Sequence, residues 1–204
     1  MRFLRNALAG ALLLPIHLGS QQAGNARVPE VRRDSRLGLT STRLRGDYRL
    51  YVWGIGLRIP SELVAYGPYC DSAGICGSSH GFYGFLTSDS TATVSLFAQS
   101  VTDSDIDDEE LIFLGGPVAR EHLSIIKRAD TKLGPLRATR LLINFRDQKT
   151  LEPWIWDVVY GRRVLPKDGT FLYEVTLTAS EKRYVQDKRI IELIINSFRT
   201  ISVE

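Results

Sequence analysis

Histidine and cysteine are scarce in this sequence: three His and two Cys in 204 residues. With so few, no zinc knuckle of repeated Cys pairs can be assembled. The sequence also lacks a His-Glu-x-x-His pair, a Gly-rich phosphate loop and a Gly-x-Ser-x-Gly elbow. It therefore names no cofactor. No internal repeat or low-complexity segment is visible. After the first twenty residues no apolar run approaches the roughly 18 residues that a spanning helix needs.

What is present begins with an address. Met1-Arg-Phe-Leu-Arg-Asn6 is a basic start, Ala7–Leu18 an apolar core, and Gly24-Asn-Ala26 a pair of small residues at the −3 and −1 positions of a cleavage site. That is the layout of a secretory signal peptide over residues 1–26, with a core too short to span a bilayer. The expected product is exported, periplasmic or extracellular, without a membrane span. Cleavage would remove Arg2 and Arg5 from the 26 basic residues, leaving 24 against 23 acidic ones. Nothing in such a balance argues for nucleic acid or a membrane surface, and no nucleic-acid partner is expected.

Charge is nevertheless uneven. Residues 27–49 hold seven Arg against Glu30, Asp34 and Asp47, and 103–110 hold six acids in Asp-Ser-Asp-Ile-Asp-Asp-Glu-Glu. Residues 27–46 lack a usable period and are expected to be a flexible basic arm. One domain, residues 47–204, is expected after it.

The clearest periodicities lie near the C-terminus. Phe171, Tyr173, Val175 and Leu177 alternate with mixed residues, as do Trp154, Trp156, Val158 and Tyr160 with Ile155, Asp157 and Val159. Period two with aromatic and β-branched residues predicts strands, and Pro166 with Asp168-Gly169 predicts the turn between them. After Ser180 the period becomes 3.6. Tyr184, Ile191, Ile194, Ile195 and Phe198 share a helical face, with Ile190 and Leu193 flanking it and Arg183, Asp187 and Glu192 mainly opposite.

Upstream, Tyr48–Ile59 is β-rich, with Gly54 and Gly56 marking a bulge or tight bend. Residues 61–80 are expected as a loop, Gly81–Thr87 and Thr91–Gln99 as a hairpin, and Leu123–Lys127 and Ala138–Phe145 as strands. A short helix over 104–114 is compatible with the early acids. The fold class is α+β: an antiparallel sheet of six or seven strands with the C-terminal amphipathic helix packed on one face.

The strand Tyr173-Glu-Val-Thr-Leu-Thr178, followed by a helix ending in Ser197-Phe198-Arg199, resembles the PsbP-like α+β family. The resemblance extends over residues 47–200. It implies a non-enzymatic binding or assembly role and supplies no site residues. The two-cysteine loop and the acidic stretch are not part of that pattern.

Cys70 and Cys76 are six positions apart, and in an oxidising compartment a disulfide between them is the expected state. The alternatives are free thiols, or a metal held by Cys70, Cys76 and His80 with Asp71 or His122. Ser79-His80 suggests a nucleophile and base, but adjacent side chains rarely engage each other, and a loop histidine bonded to backbone is the ordinary case. Asp103, Asp105, Asp107 and Asp108 only loosely approach a calcium loop and lack its Gly and closing Glu. A solvated acidic loop is the ordinary case there. Trp154, Trp156 and Tyr160 share one strand face, where core is the ordinary case; a helix packed on the opposite face would shift the balance toward a ligand surface.

The expected function is thus non-catalytic binding of an unknown protein or small ligand. Contacts would come from the Cys70–His80 loop (Ser79, His80) and from the acidic 103–110 loop (Asp103, Asp105, Asp107, Asp108). A periplasmic immunity-type inhibitor of a toxin is one form of that role. The alternative is a secreted hydrolase using His80 with a nearby carboxylate.

Overall fold

The computed structural model describes residues 31–34, 39–70, 80–86, 92–101, 123–146, 151–165 and 169–202. They form twelve strands: β1 (Val31–Asp34), β2 (Leu39–Leu44), β3 (Gly46–Leu50), β4 (Ile55–Ile59), β5 (Val64–Cys70), β6 (His80–Phe85), β7 (Ala92–Val101), β8 (Leu123–Leu133), β9 (Leu136–Arg146), β10 (Pro153–Leu165), β11 (Gly169–Ser180) and β12 (Arg199–Thr200). Helix α1 spans Glu181–Ser197.

Nine strands build one sheet in the order β1-β2-β5-β6-β7-β11-β10-β9-β8, and β12-β4-β3 build a small second one. Paired neighbours are antiparallel. The main sheet therefore exceeds the six or seven strands expected. Three of the additional strands come from unexpected places. Val31–Asp34 and Leu39–Leu44 fall in the stretch expected to be a flexible arm, yet they pair with each other, and β2 continues onto β5. Val64–Cys70, expected as loop, is β5 itself. These segments lack clean alternation because Arg, Gly and Pro interrupt their apolar positions, while the backbone still makes the pairing.

The hairpin β10–β11 lies inside the sheet, in unbroken register from Trp154↔Ser180 to Leu165↔Gly169. On β11 the side chains of Phe171, Tyr173, Val175, Leu177 and Ala179 enter the main core. They meet Ala92, Val94, Leu96 and Ala98 of β7 and Ile190, Ile191, Ile194 and Ile195 of α1. We call this the first face. The helix lies over β11 and its neighbours as the periodicity suggests, with two departures. Leu193 is exposed, and Asp187 is buried beside Arg183, whose Nε donates to it at 3.0 Å. One turn of separation lets that pair cover the rim of the helix.

The small sheet covers the rest of the first face. Tyr48 meets Phe82 edge-on at 6.2 Å, and the Tyr173 hydroxyl donates to the Trp53 carbonyl at 2.8 Å. Arg163 Nη1 donates to the carbonyls of Gly54 (2.9 Å) and Ile201 (3.0 Å) and so ties both ends of that sheet to β10. Gly54 takes a left-handed conformation that closes the turn between β3 and β4. Gly134 does the same in the Gly134-Pro135 turn, where its N–H caps α1 by donating to the Ile195 carbonyl at 3.1 Å. Any side chain on Gly134 would collide with the Phe198 carbonyl.

Candidate functional site

Alternation places two different surfaces on the sheet. The first face is core, with one polar exception. Asp157, fully buried, sits on β10 between β9 and the helix. Arg140 grips it in a two-pronged contact, Nε to Oδ1 at 2.7 Å and Nη2 to Oδ2 at 2.5 Å, while the Tyr184 hydroxyl donates to Oδ2 at 2.8 Å. The other arm of Arg140 reaches Glu192 on α1. Hydrogen bonding to Asp157 holds the guanidinium above its ordinary pKa, and burial with the nearby carboxylate does the same for the Tyr184 phenol. With its lone pairs occupied, Asp157 is a fastener that sets the helix across β9 and β10. The sequence pattern grouped Asp157 with Ile155 and Val159, and nothing local indicated that α1 would cover that row.

The second face carries Trp154, Trp156, Val158, Tyr160 and Arg162 from β10, since their neighbours Ile155, Asp157 and Val159 face the helix. The Trp–Trp–Tyr row therefore lies away from α1. Toward β9 this face is apolar: Leu141, Ile143, Val158, Tyr160, Leu172 and Val101 form a second buried cluster, with Leu123 and Trp156 packed against it. Phe145 stacks beside Trp156 with ring centroids 4.6 Å apart.

Toward β7 and β6 the same face turns polar. Thr176 of β11, Ser95 of β7, Tyr83 of β6 and Tyr66 of β5 follow one another across the strands by register. Thr93, Phe97 and Gln99 complete it, and apart from the buried Tyr66 these side chains are half-buried. Glu174 stands on the border between the two halves. Its strand neighbours are Tyr160 and Phe97, and its carboxylate accepts a hydrogen bond from Thr176 Oγ1 at 2.7 Å. Burial raises its pKa, and the bond from Thr176 offsets part of that rise. A carboxyl so placed keeps its proton to higher pH than usual and can then donate as well as accept.

Of the residues expected from sequence to carry function, the structure places the strand-borne ones only. His80 opens β6 with its backbone opposite Phe97, next to a bulge, and Cys70 ends β5 opposite Thr40. Both strands meet the 71–79 connection at the sheet end where β7 finishes at Val101. That end thus gathers Cys70, His80 and Val101. Cys76, Ser79, Asp103, Asp105, Asp107 and Asp108 lie outside the described residues. Glu174 was missed because its neighbours made it look like an ordinary solvent-side position of an amphipathic strand.

No family model matches the sequence, and no curated protein matches it. Solved structures do. A crystal structure of LpqN, involved in cell envelope biogenesis of Mycobacterium tuberculosis, matches at 13% identity over 80% of this chain and 91% of LpqN, with a TM-score of 0.50. The solution structure of cyanobacterial PsbP (CyanoP) from Synechocystis sp. PCC 6803 matches at 11% identity over 90% and 98% of the two chains, with a TM-score of 0.46. PA94 from Pseudomonas aeruginosa matches at 12% identity over 74% and 93%, with a TM-score of 0.39. The likeness is one of fold. The PsbP-like resemblance holds at that level and is weak. Among the described residues no helix is long and apolar enough to cross a membrane.

Proposed function

We propose that the protein is an exported accessory protein of the cell envelope that binds a partner without converting it. The partner contacts the polar half of the second face and the Cys70–His80 loop at its edge. The observation that carries this reading is the contrast within one sheet. The first face is consumed by core, while Tyr83, Ser95, Phe97, Thr176 and Glu174 stand half-exposed on rigid strands. Backbone pairing pre-organises such a surface, so little ordering entropy opposes binding. The mixture of hydroxyls, aromatic rings and a carboxyl suits a ligand or protein edge that both hydrogen-bonds and stacks. The cell-envelope role of the fold neighbour LpqN supports the same compartment, as does the signal-peptide layout of residues 1–26.

The hydrolase alternative centres on His80 and Glu174, which flank Phe97 in one cross-strand row. Their Cα atoms are two strand spacings apart, about 10 Å, and Glu174 is already engaged by Thr176. That spacing favours anchoring over proton relay.

The test starts from the mature exported protein. Intact mass should show loss of residues 1–26 and, on reduction, the gain of two hydrogens at Cys70 and Cys76. Envelope partners are then captured by cross-linking with wild type and with Ser95→Arg, which plants a long charged side chain amid the polar half. Loss of one defined partner with an unchanged melting curve supports the proposal. Equal capture by both proteins, or turnover of a substrate that His80→Ala abolishes, overturns it.

A further inference from the structure

Glu174 is a carboxyl without a counter-charge. It is half-buried on the second face, and Thr176 Oγ1 donates to its Oε1 at 2.7 Å. Among the described residues no base supports it electrostatically, not even Arg162, which lies one diagonal away on β10. Asp157 on the other face shows how this chain holds a buried carboxylate that serves the fold: Arg140 and Tyr184 together donate to it. Taking an ionised carboxyl out of water without such pairing weakens a fold. Thr176 offsets only part of that, since a neutral hydroxyl is a weaker donor than a charged one. A glutamine would keep the same hydrogen bond without the penalty, so the fold alone does not call for a glutamate here.

The surroundings are aromatic. By register Phe97 on β7 and Tyr160 on β10 stand directly to either side of Glu174, where Cβ atoms lie about 4.5–5.5 Å apart. The bond to Thr176 draws the carboxyl along β11 toward the next row, in which Thr176 is followed by Ser95 of β7 and Tyr83 of β6. Tyr83 is the diagonal neighbour of Phe97, about 7–8 Å away and within reach of a ring. Tyr160, 5% exposed, closes the β10 side, whereas Phe97, Ser95 and Tyr83 are half-buried, so the open side faces β6 and β7.

A carboxylate set among aromatic rings is the donor set that recognises an organic ammonium group. The ring quadrupoles attract its diffuse charge, the alkyl groups on nitrogen bury against the rings, and the carboxylate supplies the counter-charge. Other ligand chemistries fit less well. A bare divalent ion takes roughly six or more oxygen ligands, and the carboxyl with the Thr176 and Ser95 hydroxyls falls short. A guanidinium is best met by both oxygens of a carboxylate, and Thr176 already engages Oε1. A neutral sugar would stack on the rings but leave the carboxyl without a counter-charge.

We propose that Glu174, Phe97, Tyr83 and Thr176 form a receptor for an alkylated ammonium group, its nitrogen beside the Glu174 carboxylate and its alkyl substituents against the two rings. This inference rests on the reading of the polar half as a binding surface and names the chemical group that the surface takes. A bound cation favours the ionised carboxylate and so displaces the proton that burial otherwise retains.

The test uses the mature exported protein with choline and its neutral carbon analogue, in which a tert-butyl group replaces trimethylammonium. Binding is followed by the ring-current shift of the methyl protons in nuclear magnetic resonance. Wild type should take choline at least about tenfold more tightly than the analogue. Glu174→Gln should abolish that preference while melting no lower than wild type. Phe97→Leu, which keeps apolar bulk and removes the ring, should weaken choline several-fold. Equal affinity for both probes, no methyl shift with wild type, or an unchanged preference in Glu174→Gln would overturn the inference. Capture with Ser95→Arg separates the two readings: if that variant still loses its partner while choline fails, the binding surface stands and the ammonium site falls. Choline that binds and releases the captured partner shows that the partner carries the group, and choline that binds without releasing it assigns the site to a free solute.

Discussion

The two faces of the main sheet differ in how they are covered, and the difference explains which one is available for function. The first face is capped by α1, which follows β11 directly, and by the small sheet, whose contacts come from far along the chain. The charge buried on its strands, Asp157, accepts hydrogen bonds from Arg140 and Tyr184. The second face is divided. Its β9–β10 half is as dry as the first face, and its β6–β7 half is polar and half-exposed. A sheet with both faces wholly apolar would be buried throughout and offer nothing to a partner. Restricting the second cluster to one half leaves a rigid surface without disturbing the core.

The largest expected effect breaks the first face. Asp157→Ala leaves the Arg140 guanidinium and the Tyr184 hydroxyl without their shared acceptor. Removing one member of a buried ion pair costs about 3–5 kcal/mol, and for a chain of this size each kcal/mol lowers Tm by roughly 2–4 °C. Thermal unfolding followed by circular dichroism checks this, and a loss under 1 °C would mean that the network is ornamental to stability. Next comes a matched pair of truncations. Ile191→Ala, in the helix against the first face, should cost about 2–5 kcal/mol. Ile143→Ala on the second face should fall in the same range, because a 0% exposed side chain leaves a cavity wherever it sits. Denaturant titrations of the two variants compare the faces directly. A near-neutral Ile143→Ala would show that the second face is covered more loosely.

The border between the halves gives a smaller, pH-dependent effect. Glu174 has a raised pKa in the folded protein, so the native state holds that proton more tightly than the unfolded chain. Stability then falls as pH rises from the ordinary Glu value through the raised one, and the penalty persists above it. Glu174→Gln should remove this slope and raise Tm modestly at neutral pH. An unchanged Tm–pH profile would show that Glu174 titrates alike in both states. The smallest effect is expected at the outer end of the Asp157 network. Glu192 is nearly half exposed, at 46%, and Glu192→Ala should cost less than about 1 kcal/mol, shrinking as salt is added. The contrast with Asp157→Ala measures how far burial, and not charge pairing as such, sets the strength of the fastener.

Much of this architecture was legible in local pattern. The alternations at 154–160 and 171–177 became the central hairpin, and the 3.6 period after Ser180 became α1. Strands β1, β2 and β5 were not legible, since Arg-rich and Gly-Pro-containing segments pair through backbone that carries no hydrophobic signature. The candidate site was only partly visible. His80 and Cys70 stood out as chemically distinct residues, and both fall at strand ends beside the two-cysteine loop. Glu174, Ser95, Thr176 and Tyr83 did not stand out, because they lie on three separate strands in ordinary alternation, and only strand register aligns them.

The division has one physical source. Sequence alone determined element type, turn chemistry and the apolar stripe of α1, because those follow from sterics and spacing within a few residues. Tertiary structure decided the choice of covered face. The helix packs over Ile155, Asp157 and Val159 and turns Trp154, Trp156 and Tyr160 to the other side. Both rows of β10 are apolar enough to bury, so the period of two cannot choose between them. The choice depends on where the chain beyond β11 can reach, and on Arg140 and Tyr184 meeting Asp157 there.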